Sequence, residues 1–189
     1  MNNNKNIYSG PFKYLGGLLF LVPFTQPFLL CLVLYININD GTKVFINKKA
    51  ILKLIYLSLI FLPIIALINI LSALLLNDHV PQAIVQSINS SERLLFFNYF
   101  SIIIISPIIE ELYFRKVLFK ELHHRLGPVW GILLSSMYFS FVHLNILSLP
   151  TLFALGIFLG TIFKITKSIL FCIIVHSLFN LFMLYSIIF

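Results

Sequence analysis

The 189-residue chain has six acidic residues, and two of them, Glu110 and Glu111, stand side by side in the stretch 106–115 that follows the apolar run Ile102 to Ile105. An acidic side chain at the centre of a membrane helix costs about 2.5–3.5 kcal/mol on insertion scales, so such a residue is a functional candidate by default. Three more polar residues interrupt strongly apolar segments further on: His143, His176 and Asn180. A carboxylate with imidazoles is the equipment of acid–base chemistry at a water molecule, or of a metal site. A lone histidine in such a segment is ordinarily a packed, hydrogen-bonded residue. With the Glu pair, His143, and His176 with Asn180, these are three independent polar placements on three helices, which weigh against that ordinary account.

Spacing assigns partners. Glu111 and Arg115 are four apart, so they share a helix face and can form an ion pair. Glu110 points about 100° away around the helix and escapes that pairing. One carboxylate can then be held as structure while its neighbour stays available as a base. His176 and Asn180 are also four apart and project together, and Phe139, one turn before His143, could wall the same site. Depth agrees as well. Glu110 lies 17 residues before Gly127 and His143 lies 16 after it, so an antiparallel hairpin about Gly127-Pro128 would bring both to one level. His176, nine residues beyond Lys167, would sit roughly 14 Å from that edge and reach the same level if the tail 116–126 projects from the bilayer.

The elements that position these residues read as membrane spans. Hydrophobic residues make up 60% of the chain and charged residues 10%, far from the roughly 25% charged of soluble domains. We expect an all-α, polytopic transmembrane helical bundle of about six spans. They fall near residues 14–36, with Pro23 and Pro27, 51–76, with Pro63, 94 to beyond Glu110, 129–147, 151–165 and 168–189. Residues 1–93 would form N-terminal spans and a loop, and 94–189 the functional core. Nine lysines and arginines in the loops after spans one, three and five face three on the other side, which places the first group in the cytoplasm of a multi-pass cell-membrane protein. The net charge of +7 is accounted for by these connections and their anionic headgroups, and calls for no nucleic acid. Cys31 and Cys172 lie within apolar segments and read as buried free thiols.

Other signals carry less. Gly156 and Gly160 form a GxxxG whose ordinary use is close helix packing. His123 and His124 fall in the basic tail and read as solvated, and His79 has no partner in its loop. No HExxH, phosphate loop or cysteine-rich metal motif occurs, and Ser101, Ser106 and Ser177 lack the glycine context of a hydrolase elbow.

Taken in order, Glu110-Glu111-x-x-x-Arg115, Phe139-x-x-x-His143 and His176-x-x-x-Asn180, with Phe153-x-x-Gly156 between the last two, resemble the CAAX-protease and bacteriocin-processing (CPBP) intramembrane proteases over about 94–184. The resemblance implies hydrolysis of a peptide bond in a membrane-associated or lipidated peptide. It implies that Glu110 activates water with help from His143, that His176 and Asn180 bind or polarise the scissile carbonyl, and that Glu111 and Arg115 orient Glu110. The family is often called a metalloprotease, and His143, His176 and Glu110 would be a credible zinc set. Activation of water by a desolvated Glu and His without metal is equally physical. Two other classes stay open: a non-enzymatic bacteriocin-immunity protein, and a proton relay or transporter, for which no inverted repeat is found.

Overall fold

The computed structural model describes residues 48–76 and 98–188, and every regular element among them is helical. The expected first span and the loop 77–93 lie outside the described residues. Helix α1 is Lys48–Leu76. Next comes α2, a composite helix over 101–119: π-helical turns Ser101–Ile105, an α-helical centre Ser106–Glu111 and a second π-helical stretch Leu112–Phe119. Helices α3 (Lys120–Phe141), α4 (Leu149–Thr166) and α5 (Ile169–Ile188) follow. Two of these, Ile51–Ser72 within α1 and Leu149–Thr166, are long and apolar enough to cross a bilayer, and the apolar part of α5, Ile169–Tyr185, is shorter.

Gly127 divides α3 into two arms. Its φ of 84° lies in the left-handed region, and Pro128 after it disfavours helical continuation, so the chain turns there as the Gly-Pro pair suggests. The longer arm packs against α4 at very close range. A Cβ on Gly156 would fall 2.8 Å from the Ser136 Cβ, so only glycine allows this approach. Ser135 and Ser136, both fully buried, return their hydroxyls to the Ile132 carbonyl and leave a narrow, self-satisfied surface. In lipid, helices associate through such small-residue packing and not through hydrophobic expulsion, because the alternative solvent is equally apolar.

Helix α1 runs antiparallel along α4. Phe61 stacks on Phe158 with centroids 5.0 Å apart, and Thr151 donates to the Asn69 side-chain carbonyl at 3.3 Å. Ile65 joins the core, and many other apolar side chains of α1, among them Leu52, Leu59, Leu67 and Leu74, are exposed, the pattern of a helix that meets lipid. Pro63 is accommodated inside it. Between α2, α3, α4 and α5 lies a core that includes the fully buried Phe114, Phe139, Leu155, Phe158, Leu159 and Ile162.

The fourth expected span requires correction. Its helix stops at Phe141, not near 147, and His143 sits in the turn that follows. Leu144 there adopts a φ of 51°, the Asn145 side chain accepts from the N–H groups of Leu147 and Ser148, and Pro150 opens α4. An Asx-turn followed by a proline ends one helix and begins another, and together they outweigh the apolar run 144–149. The junction between α4 and α5 is sharper. Lys167 takes a left-handed conformation at φ 55°, and the Ser168 hydroxyl caps α5 by accepting from Phe171 N–H at 3.4 Å.

Candidate active site

Glu110 and Glu111 end the α-helical centre of α2, flanked on both sides by π turns. π-helical turns are rare and recur at functional sites because they re-aim side chains against the neighbouring helices. Seven of the eight residues in Leu112–Phe119 are buried, which shows how fully this stretch is enclosed.

Glu111 is entirely buried and spends both carboxylate oxygens. Its Oε2 accepts from Arg115 Nε at 2.9 Å, and its Oε1 lies 3.0 Å from His176 Nδ1. Arg115 is also fully buried, with its guanidinium 5.5 Å from the centroid of the Phe139 ring. An ionised Glu111 held by arginine can only accept, so His176 donates from Nδ1 and keeps a lone pair on Nε2. His143 is fixed in the same sense: its Nδ1 lies 2.7 Å from the Phe139 carbonyl oxygen, which also only accepts. Phe139 further sets both rings by edge contacts, with centroids 4.9 Å from His143 and 5.7 Å from His176.

Both free Nε2 atoms face Glu110. Oε2 of Glu110 lies 3.9 Å from His143 Nε2 and 3.8 Å from His176 Nε2, and this buried oxygen has no hydrogen-bond partner among the described residues. With both rings neutral and Glu110 ionised, the three converging atoms are all acceptors. A separation above 3.5 Å between polar atoms suits a bridging water, whose two hydrogens would answer two of the acceptors. Exposure is graded across the group: the His143 side chain is 31% exposed, Glu110 11% and His176 2%. Access is thus from the His143 side, beside the turn 142–148.

A zinc ion matches these atoms in kind. Two imidazole nitrogens and one carboxylate oxygen form a known zinc set, and each imidazole donates its other N–H to a fixed acceptor, as zinc-binding histidines do. The spacing is wider. Bonds of 2.0–2.1 Å at a tetrahedral ion give ligand separations of about 3.4 Å, and among the described residues no group of three His, Cys, Asp or Glu is set at metal-ligand spacing.

The structure brings together Glu110, Glu111, Arg115, His143 and His176, with Phe139 as the wall between them. Asn180 makes a contact of another kind. The Asn180 amide donates to the Ile102 carbonyl oxygen at 2.9 Å. His123 differs too: it is half-buried and stacked on Phe119, with a buried Nδ1, whereas His124 is exposed. Their common basic surroundings hid this contrast, which the helical spacing from Phe119 to His123 could have shown.

Residues 92–182, which hold every residue of this group, match the family described as Type II CAAX prenyl endopeptidase Rce1-like. A curated protein of Bacillus subtilis (strain 168), "Putative membrane peptidase YdiL", is 33% identical to this chain over 79 residues. That match covers 42% of this chain and 32% of the relative, so the chain spans about a third of the length of the protein it resembles. No solved structure matches.

Proposed function

Starting from the chain's membership, through residues 92–182, of the CAAX-protease and bacteriocin-processing family of membrane proteases, we propose that it is an intramembrane endopeptidase in which Glu110 activates water. The observation that carries this reading is the buried, unpartnered Glu110 Oε2 facing two imidazole nitrogens at 3.8 and 3.9 Å. A water between these atoms can donate to two of the three and is polarised by them. Glu110 takes one of its protons as general base while the oxygen attacks the scissile carbonyl carbon. Glu110 then passes that proton to Nε2 of His176, 3.8 Å away, and the Glu111 carboxylate at Nδ1 stabilises the resulting imidazolium. That cation then stabilises the developing oxyanion and can return its proton to the departing amine. His143, at the open rim, orients the water and admits the substrate. Arg115 keeps Glu111 ionised and in place.

If a zinc ion were held here, Glu110, His143 and His176 would hold it, and it would supply Lewis-acid polarisation of the scissile carbonyl. The proposed protein is a six-span, multi-pass protein of the cell membrane, with 94–189 as its catalytic unit and a lipid-anchored or membrane-inserted peptide as substrate. The test is cleavage in proteoliposomes. A farnesylated fluorogenic peptide and a transmembrane peptide without a lipid anchor are each incubated with wild-type chain and with Glu110→Gln. Cleavage of either by the wild type and not by the variant supports the reading. Equal cleavage by both proteins contradicts it.

A further inference from the structure

Pro107 stands in α2, three residues before Glu110. Proline has no N–H, so one main-chain carbonyl on the preceding turn loses its donor, and the ring crowds the carbonyl four residues earlier. At α-helical pitch the carbonyl left over would be that of Ile103. The turns Ser101–Ile105 run at the wider i→i+5 pitch, in which Ser106 N–H bonds to Ser101 O. The next bond of that series would run from residue 107 to Ile102 O, and residue 107 has no hydrogen to give. Ile102 O is the atom that Asn180 reaches from α5, through Nδ2 at 2.9 Å. A carbonyl freed by proline inside a membrane has no water to turn to and must be answered by a neighbouring helix. Asn180 lies one turn beyond His176 on α5, so its bond ties the two helices together beside the point where His176 meets the glutamate pair.

We propose that Asn180 is a positioning residue, which donates to the carbonyl left open by Pro107 and so fixes the register of α5 against α2. That register holds His176 Nδ1 3.0 Å from Glu111 and His176 Nε2 3.8 Å from Glu110. Asn180 and Pro107 act as a pair: the proline creates the demand and the amide meets it. This assignment differs from direct contact of Asn180 with the scissile carbonyl. It rests on the proposed active site but concerns the free protein, so it can be tested without turnover.

The test is a double-mutant cycle read at the histidine rings. Full-length chain with ¹⁵N-labelled imidazoles is placed in lipid nanodiscs as wild type, Asn180→Ala, Pro107→Ala and the double variant. The His176 signals are assigned by their loss in His176→Gln. Asn180→Ala should move the His176 Nδ1 and Nε2 resonances in the native background. In the Pro107→Ala background, where the main chain regains a donor, the same substitution should have less than about a third of that effect, because the two positions share one interaction. Equal displacement in both backgrounds, or none in either, would overturn the proposal. If Asn180→Ala alone fails to fold, the double variant decides: recovery of folded protein supports the pairing, and failure to recover contradicts it. None of these readouts is cleavage, so the positioning role can fail while the proposed catalytic site stands, and the reverse.

Discussion

His176 Nδ1 lies 3.0 Å from Glu111 Oε1, and the opposite ring nitrogen of the same histidine lies 3.8 Å from Glu110 Oε2. One imidazole therefore bonds to one carboxylate and faces its neighbour in sequence, with a different edge toward each. Glu111, saturated by Arg115 and His176, is a holder, and Glu110, with a buried oxygen left open, is the group that can react. The 100° step between successive helical residues is enough to separate these roles.

That division predicts opposite profiles for two nearly identical substitutions. Glu111→Gln leaves the fully buried Arg115 charge without its counter-ion, and loss of one partner from a buried pair costs about 3–5 kcal/mol. Its melting temperature in detergent should fall markedly, and any residual activity with it. Glu110→Gln removes a charge with one buried oxygen, Oε2, that meets no hydrogen-bond donor among the described residues, so its melting temperature should equal or exceed that of the wild type while activity is lost. Thermal unfolding of both variants beside a cleavage assay checks the pair.

The two glycines of the GxxxG should not behave alike. A Cβ at Gly156 would meet the Ser136 Cβ at 2.8 Å and its Cα at 3.0 Å, whereas at Gly160 the nearest atom is an Ile132 methyl at 3.4 Å. Gly156→Ala is expected to destabilise by about 1–3 kcal/mol through overpacking. Gly160→Ala is expected to be near neutral or mildly stabilising, since alanine also favours the helix. Thermal unfolding in one detergent separates the two.

Asn145 should matter to His143 from a distance. Its side chain closes the turn by accepting from Leu147 and Ser148, and loss of such a hydrogen bond costs about 1 kcal/mol. Asn145→Ala is predicted to lower turnover several-fold by loosening His143, while the ring signals of His176, which is held by Glu111, stay in place. Imidazole spectra beside cleavage rates test this contrast.

Much of the site was legible because it depends on helical arithmetic. The 17- and 16-residue offsets about Gly127 anticipate the 3.9 Å approach of Glu110 and His143, and the four-residue spacing anticipates the Glu111–Arg115 pair. What escaped depends on contacts between helices or on main-chain pitch. The same spacing showed that Asn180 projects with His176 but not that its amide bonds to the Ile102 carbonyl, in the π-helical turns before Pro107. The bond from Glu111 to His176 was missed because pairing with Arg115 looked sufficient, although a carboxylate has a second oxygen to satisfy. The end of α3 at Phe141 was hidden by the apolar residues of the following turn, where Asn145 and Pro150 held the information.

The central claim is that Glu110 performs peptide-bond hydrolysis in the membrane, and its most direct measurement is comparative peptidomics of membranes from cells that carry wild-type chain or Glu110→Gln at equal, correctly inserted levels. The account predicts that specific membrane-associated peptides accumulate uncut in the variant and that their cleaved products are present only with the wild type. Identical peptide profiles from the two strains would contradict it.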